Sequence, residues 1–437
     1  MATLSAPPEE VLLNIAKFPT YSSPALLSLS LCSRRFRHIS QTLLYRSVSV
    51  YTSREILLLA RTLLYRRDLA HAVQHLETEI SASSQTHNLT KVVEKQLEST
   101  LRQTCQNAET TNKWFVDLWS NRGGASAALL LLLLPNVKRL DVQIWSSSEH
   151  LTALMHTAAF GYSDVVAPVA SSEHRNSSRP LSQLSDLRLS MDLFSSFRLS
   201  PIMQLPTLCS VSVASLSTLG YLRGFHATLS PIQTLDLTHC GLDEVEFFNV
   251  LSICSELRIL RYHWDKPWSD EDVIDDERDS ENDVGPRVIA GLEQSRGTLQ
   301  VLEVKGDKPL RHDALSLGSL MAFTRLQSLC VPAVMVLNPT YLFLSQLTLK
   351  YLPESLKHLH LVDAEIAGEE RLESVLLTQL DLLNSFRSLT TLTITWRVVW
   401  FWLKLHEAEP PTFRQLRRSC NDRRTGFVLE MAYCSLL

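Results

Sequence analysis

Glycine is scarce, at 13 of 437 residues, which argues against Gly-rich phosphate loops and against sheets joined by tight glycine turns. Cysteine pairs at metal spacing are missing. The eight cysteines (Cys32, Cys105, Cys209, Cys240, Cys254, Cys330, Cys420 and Cys434) include no Cys-x-x-Cys and none near a histidine at zinc-ligand spacing. They read as reduced thiols of the cytosol or nucleus. Charge of one sign is missing too. Lys and Arg total 42 against 46 Asp and Glu, a net charge of −4, so no global attraction draws the chain to nucleic acid or an anionic membrane. The longest apolar run, Ala127 to Leu134, ends at Pro135, far short of the ~20 residues that span a bilayer. Glu9 and Glu10 stand where a signal peptide needs a basic flank. A soluble chain of the cytoplasm or nucleus is expected, with no membrane and no nucleic-acid partner.

Catalytic signatures are absent as well. There is no Gly-x-Gly-x-x-Gly, no Gly-Lys-Ser/Thr phosphate loop, no Gly-x-Ser-x-Gly and no His-Glu-x-x-His. Paired carboxylates are concentrated in an acidic run, without the fixed, partly buried setting of general acid–base catalysis. His71 and His75 are four apart, as two metal ligands on a helix would be, but no third ligand lies nearby. No metal, cofactor or enzymatic activity of its own is expected.

What the chain has is leucine, in a period. Leu-x-x-Leu-x-Leu, allowing aliphatic or Tyr substitutes, starts at Val137, Leu184, Leu208, Ile232, Leu257, Leu299, Leu326, Leu356 and Leu389. With 45% hydrophobic residues single matches mean little; the spacing carries the signal. Intervals run from 24 (208 − 184) to 47 (184 − 137) residues, mostly at or slightly above the roughly 20–29 of leucine-rich repeats. Ile232-x-x-Leu235-x-Leu237-x-x-Cys240-x-Leu242 fits the whole signature, and Val245, Phe248, Leu251 and Ile253 follow it at helix-like spacing. Val73-x-x-Leu76 reads as a degenerate first member. No such unit can bury its apolar face alone, so neighbours stack. The expected fold is α/β: a solenoid over 131–403 with parallel strands on a concave face and helices outside. An all-helical solenoid is the competitor; β-branched company in Val211-Ser-Val213 and Leu392-Thr-Ile394-Thr argues against it. Two insertions are expected, at 146–181 and 265–283. The second carries ten acids against Lys266 and Arg278 and reads as a solvated loop. A helical linker is expected over 51–130, and the tail 404–437 fits no repeat template.

The first fifty residues differ. Pro7-Pro8-Glu9-Glu10 opens a helix, with Val11, Leu12, Ile15 and Phe18 on one face. Ser23-Pro24 opens a second, and Ser33-Arg34-Arg35-Phe36-Arg37 a third. Val48 and Val50 then alternate with Ser47 and Ser49, a switch toward strand. The pattern Pro8-x-Glu10-Val11-Leu12-Leu13-x-Ile15, then Leu26-x-x-Leu29-x-Leu31-x-Ser33-Arg34-x-Phe36-Arg37, then Leu43-Leu44-Tyr45-Arg46-Ser47-Val48, resembles an F-box of the fungal type over residues 4–50. Pro7 stands where that family's motif carries leucine.

The resemblance implies docking on a Skp-family adaptor, and through it a cullin, by way of Pro8, Val11, Leu12, Ile15, Leu26, Leu29 and Phe36. It implies a substrate-recognition subunit of a ubiquitin ligase, with an unidentified protein client held on the repeats. The client-facing column would be Asp141, Arg188, Ser212, Asp236, Arg261, Glu303, Cys330, His360 and Thr393, the residues between the inward leucines. A free-standing repeat scaffold, its helical start acting only as a cap, is the alternative.

Overall fold

In the computed structural model the described residues are 11, 13, 23–80, 95, 99, 108–120, 124–145, 149–160, 180–191, 199, 201–215, 229–240, 242, 244–264, 284–306, 317–337, 351–362, 388–399, 417–418 and 426–434. Both expected insertions fall largely outside them, as do Pro8, Leu12 and Ile15. The chain divides into two compact units, Met1–Val211 and Ser212–Leu437.

Unit 1 opens with helices α1 (Ser23–Cys32) and α2 (Arg34–Leu44). Ser33 separates them: its hydroxyl accepts from the Phe36 N–H at 3.1 Å and caps α2. Leu26, Phe36 and Ile39 are buried together, with Leu13, Leu29, Leu43 and Leu44 packed around them. Strand β1 (Ser47–Val50) begins three residues after α2. Helix α3 (Ser53–Tyr65) follows behind a capping box, in which Thr52 accepts from Glu55 N–H and the Glu55 carboxylate accepts from Thr52 N–H. Ile56, Leu57, Ala60 and Leu63 form its buried stripe. Next come α4 (Arg67–Ala72), β2 (His75–Ile80), α5 (Ala108–Trp119), α6 (Ala125–Leu132), β3 (Arg139–Ile144), α7 (Glu149–Phe160) and β4 (Asp186–Met191). Helix α6, drawn from the leucine-rich run, is buried from Ala125 to Leu131 and packs against α3, α5 and α7. Strands β1 to β4 pair in parallel in chain order.

Strand β5 (Ser210–Ala214) crosses the boundary between the units. Unit 2 holds β6 (Thr234–Thr238), α8 (Glu244–Ile253), β7 (Ile259–Trp264), α9 (Val284–Gly291), β8 (Val301–Gly306), β9 (Ser328–Pro332), α10 (Ala333–Leu337), β10 (His358–Val362), β11 (Thr391–Val399) and β12 (Gly426–Cys434). Strands β6 to β12 also pair in parallel and in chain order. Each unit is therefore an α/β array of parallel strands with helices in the connections.

The register follows the leucine motif. Its second position is aligned from strand to strand: Val48, Leu76, Leu140 and Leu187 in unit 1, and Leu235, Leu260, Leu302, Leu329, Leu359, Leu392 and Phe427 in unit 2. Burial alternates residue by residue along β2, β3 and β8, as a half-buried strand requires. Val73 and Leu76 are fully buried, so the degenerate first member is a working one.

Two hydrogen-bond devices repeat with the motif. In the first, two successive N–H groups donate to one carbonyl of the preceding strand's entry: Gln74 and His75 to Arg46, Lys138 and Arg139 to Gln74, Ser185 and Asp186 to Lys138. In unit 2 the same bracket joins Arg258 and Ile259 to Gln233 and recurs up to Thr390 and Thr391 on Lys357, at 2.8–3.0 Å throughout. In the second, a hydroxyl just before the first leucine donates to the carbonyl of the preceding motif's first residue. Thr207 reaches Leu184 O at 2.9 Å, Thr298 reaches Leu257 O at 2.9 Å, Ser355 reaches Leu326 O at 2.8 Å, and Ser388 reaches Leu356 O at 2.9 Å. These bonds give a partner to backbone oxygens in a part-buried setting.

The structure departs from expectation in four places. The tail supplies β12, paired with β11 over nine residues; its motif escaped notice because the first position is Arg424. The strand expected at Val48 and Val50 is β1, but it pairs with β2, so the array extends back into residues 4–50. His71 lies on α4 and His75 on β2, so they share no helix. Helix α8 buries Phe247, Val250, Leu251 and Ile253 while Val245 is exposed. Phe247 stacks on Tyr262 at 4.3 Å, and the buried Tyr262 hydroxyl donates to Cys240 O at 3.1 Å.

Candidate functional site

Two surfaces carry the residues singled out by sequence. On the α1–α2 pair, Leu26 and Phe36 each retain 7% exposure and Leu29 is partly buried, so all three serve the helices' own contact. The exposed apolar side chains are Val11, Leu27 and Leu31, the last at 71%. Of the adaptor-binding set, Val11 alone is on the outside among the described residues. Leu27 and Leu31 lie on α1 but outside the set that the family resemblance implied. Arg34, Arg35 and Arg37 are exposed, and Arg37 also donates to Ser30 O.

The second surface is the strand face opposite the leucines. The register sets Asp141 beside Arg188 in unit 1. In unit 2 it lines up Asp236, Arg261, Glu303, Cys330, His360 and Thr393 as one row. Ser212 sits on β5. The column expected from spacing is therefore a physical row within each unit. Cys330 offers a partner little, being only 7% exposed.

The unit 2 row is internally paired. Arg261 lies 3.3 Å from Glu303 and 3.9 Å from Asp236, and Lys305 lies 2.6 Å from the other Glu303 oxygen. Burial lowers the Lys305 pKa, but hydrogen bonds with Glu303 and Cys330 and their charge outweigh it and hold it above the ordinary lysine value. His360 contacts the Thr395 hydroxyl at 2.6 Å. Such cross-strand pairs contribute about 0.2–1 kcal/mol each, at the lower end where solvent reaches them.

In unit 1 a rung crosses three strands. His75 Nε2 lies 3.1 Å from Asp141 and Nδ1 lies 3.0 Å from the Ser47 hydroxyl. A carboxylate can only accept, so Nε2 donates to Asp141. Serine, histidine and aspartate in series match a nucleophilic relay in composition only. Arg139 holds the same Asp141 oxygen at 3.2 Å, and the ladder commits the interior strands' N–H groups, leaving them unable to cradle an oxyanion. The rung is structural.

Away from both surfaces, His150 is 3% exposed and its Nε2 lies 2.8 Å from Asp117. Its ring lies 4.4 Å from that of fully buried Trp114. Desolvation pushes the His150 pKa below the ordinary histidine value, and the Asp117 carboxylate offsets only part of this. Burial pushes the Cys254 thiol up to about 12. Among the described residues no group of three His, Cys, Asp or Glu is placed to hold a metal, and no helix is long and apolar enough to cross a membrane.

No protein-family model and no curated protein matches the chain. Each unit is an α/β array of parallel strands whose strand face opposite the leucines is mostly half-buried.

Proposed function

We propose that the chain is the substrate-recognition subunit of a Skp–cullin–F-box ubiquitin ligase, working in the cytoplasm or nucleus. Residues 4–50 dock on the Skp adaptor, and the leucine-rich-repeat face holds a protein client. The chain does no bond chemistry. Holding a client lysine near the conjugating enzyme raises its effective concentration, which is sufficient for transfer. One observation carries the reading. The α1–α2 pair buries its own small core yet leaves Leu27 and Leu31 in water, directly ahead of an array whose strand face is open. A surface helix with a second, unburied apolar stripe is what a helix-docking partner requires.

The alternative is a free-standing repeat scaffold. It is favoured by the short passage from α2 into β1 and by the Arg46 guanidinium, which donates to the Gln74 side chain across the β1–β2 entry at 3.1 Å. These features tie the helices to the array as a cap would be tied. Capture of purified Skp adaptor separates the readings. Leu27→Asp with Leu31→Asp changes only exposed positions, and Leu12→Asp with Ile15→Asp probes the first segment. Loss of capture with unchanged circular dichroism supports the ligase. A wild-type chain that fails to bind the adaptor refutes it.

A further inference from the structure

The open face of unit 1 is unbalanced in charge at the carboxyl-terminal ends of its strands. The register sets Ser49, Glu77, Asp141 and Arg188 in one row. Two residues further along the pleat the register sets Glu79, Gln143 and Ser190 in a second row; Tyr51 follows the end of β1 with its hydroxyl on Glu77, and Trp145 follows the end of β3. The Trp145 N–H donates to Ile80 O at 2.8 Å, continuing the ladder and fixing that position beside β2.

Asp141 is neutralised by Arg139 and also accepts from His75. Among the described residues Glu77 is met only by hydroxyls, Ser49 at 2.8 Å and Tyr51. Glu79 makes no ion pair among the described residues. Tyr51 and Trp145 flank these two carboxylates and are 43% and 53% exposed. In unit 2, by contrast, Arg261 and Lys305 neutralise Asp236 and Glu303.

From this we infer that the Tyr51–Glu77–Glu79–Trp145 end of the strand face binds a Lys- or Arg-bearing segment of a partner protein. The carboxylates take the cation and the two rings take its stem and π-face contacts. Tyr51 and Trp145 directly follow β1 and β3, strands two places apart with a lateral separation of about 10 Å, which admits one extended chain lying across β2. Two carboxylates with no ion pair among the described residues, set between exposed aromatics, form a surface complementary to a basic side chain. The inference deepens the client-holding reading by giving the client a chemistry, and it does not depend on adaptor docking.

The test uses the full-length chain and a fluorescein-labelled peptide repeating Arg-Gly-Lys-Ser, read by anisotropy, with a Glu-substituted peptide as control. The basic peptide is expected to bind and the acidic one not, with affinity falling as salt rises. Glu77→Gln with Glu79→Gln is expected to weaken binding at least tenfold, and Trp145→Ala at least threefold. Circular dichroism and adaptor capture should stay at wild-type values. Failure of the basic peptide to bind, or equal binding by the double variant, would overturn the site. An intact site with no adaptor capture would instead refute the ligase reading alone.

Discussion

Replacing Thr298 with valine keeps volume and branching and removes one hydroxyl. That hydroxyl donates to Leu257 O at 2.9 Å and is also 3.2 Å from Ser295 O. A lost hydrogen bond costs about 0.5–1.5 kcal/mol net, and an orphaned buried carbonyl raises this toward about 1–3 kcal/mol. Thr298 is only part-buried, so water recovers some of the loss, and the apolar methyl gained recovers a little more. About 1 kcal/mol should remain, which lowers the urea midpoint by roughly 0.5 M at an m-value of about 2 kcal/mol/M. Because each repeat leans on its neighbours, the loss should also appear as faster amide exchange in β8, the strand that follows. Thr298→Ser should restore both readings. A valine variant with an unchanged or higher midpoint and unaltered exchange over 301–306 would show that the repeated hydroxyl is incidental.

His150 supplies a pH dependence. Its folded pKa lies below its unfolded value because burial disfavours the cation, so the unfolded chain takes up the proton first. Its contribution is therefore complete above about pH 6.5 and is lost as pH falls from there through the lower folded value; His150→Gln should flatten that slope in thermal melts, and an unchanged slope would refute the assignment. Leu302→Ala, at a fully buried strand position, should cost about 2–5 kcal/mol in denaturant titration, whereas Arg261→Ala on the open face should cost under about 1 kcal/mol. Brief iodoacetamide treatment with peptide mapping should label exposed Cys32 and Cys209 and spare buried Cys240 and Cys254; native labelling of Cys254 would contradict its burial.

The strand register was legible because the leucine motif fixes it twice, by alternation and by its three-residue lead-in. Wherever the first position is aliphatic, the strand falls where the spacing puts it. The two strands overlooked or only half seen are those whose lead-in is Tyr45 or Arg424, where the backbone continues the ladder without the apolar cue. Choosing the buried face of α8 from Val245 and Phe248 failed because six apolar residues in a ten-residue helix support two stripes. Packing against Tyr262 selected the one through Phe247. The hydroxyl ladder was visible in principle, since Thr207, Thr298, Ser355 and Ser388 each precede a motif's first leucine. One or two such residues look like ordinary surface; only the hydrogen bonds show them to be a column. On the candidate site, spacing found the row but not its pairing, because which carboxylates are neutralised depends on side chains on neighbouring strands. Glu77 and Glu79 lay in the degenerate first repeat, where no client-facing position was sought.

The doubled N–H bracket on a single carbonyl has a consequence for how such a chain tolerates change. It seats each coil on the one before it with the same geometry, whether the excursion between them runs to 24 residues or to 47. Excursion length is thereby uncoupled from seating. New sequence can be spliced into a return segment, or a short one enlarged, without retuning the coils on either side, so variation can accumulate there while the spine stays unchanged.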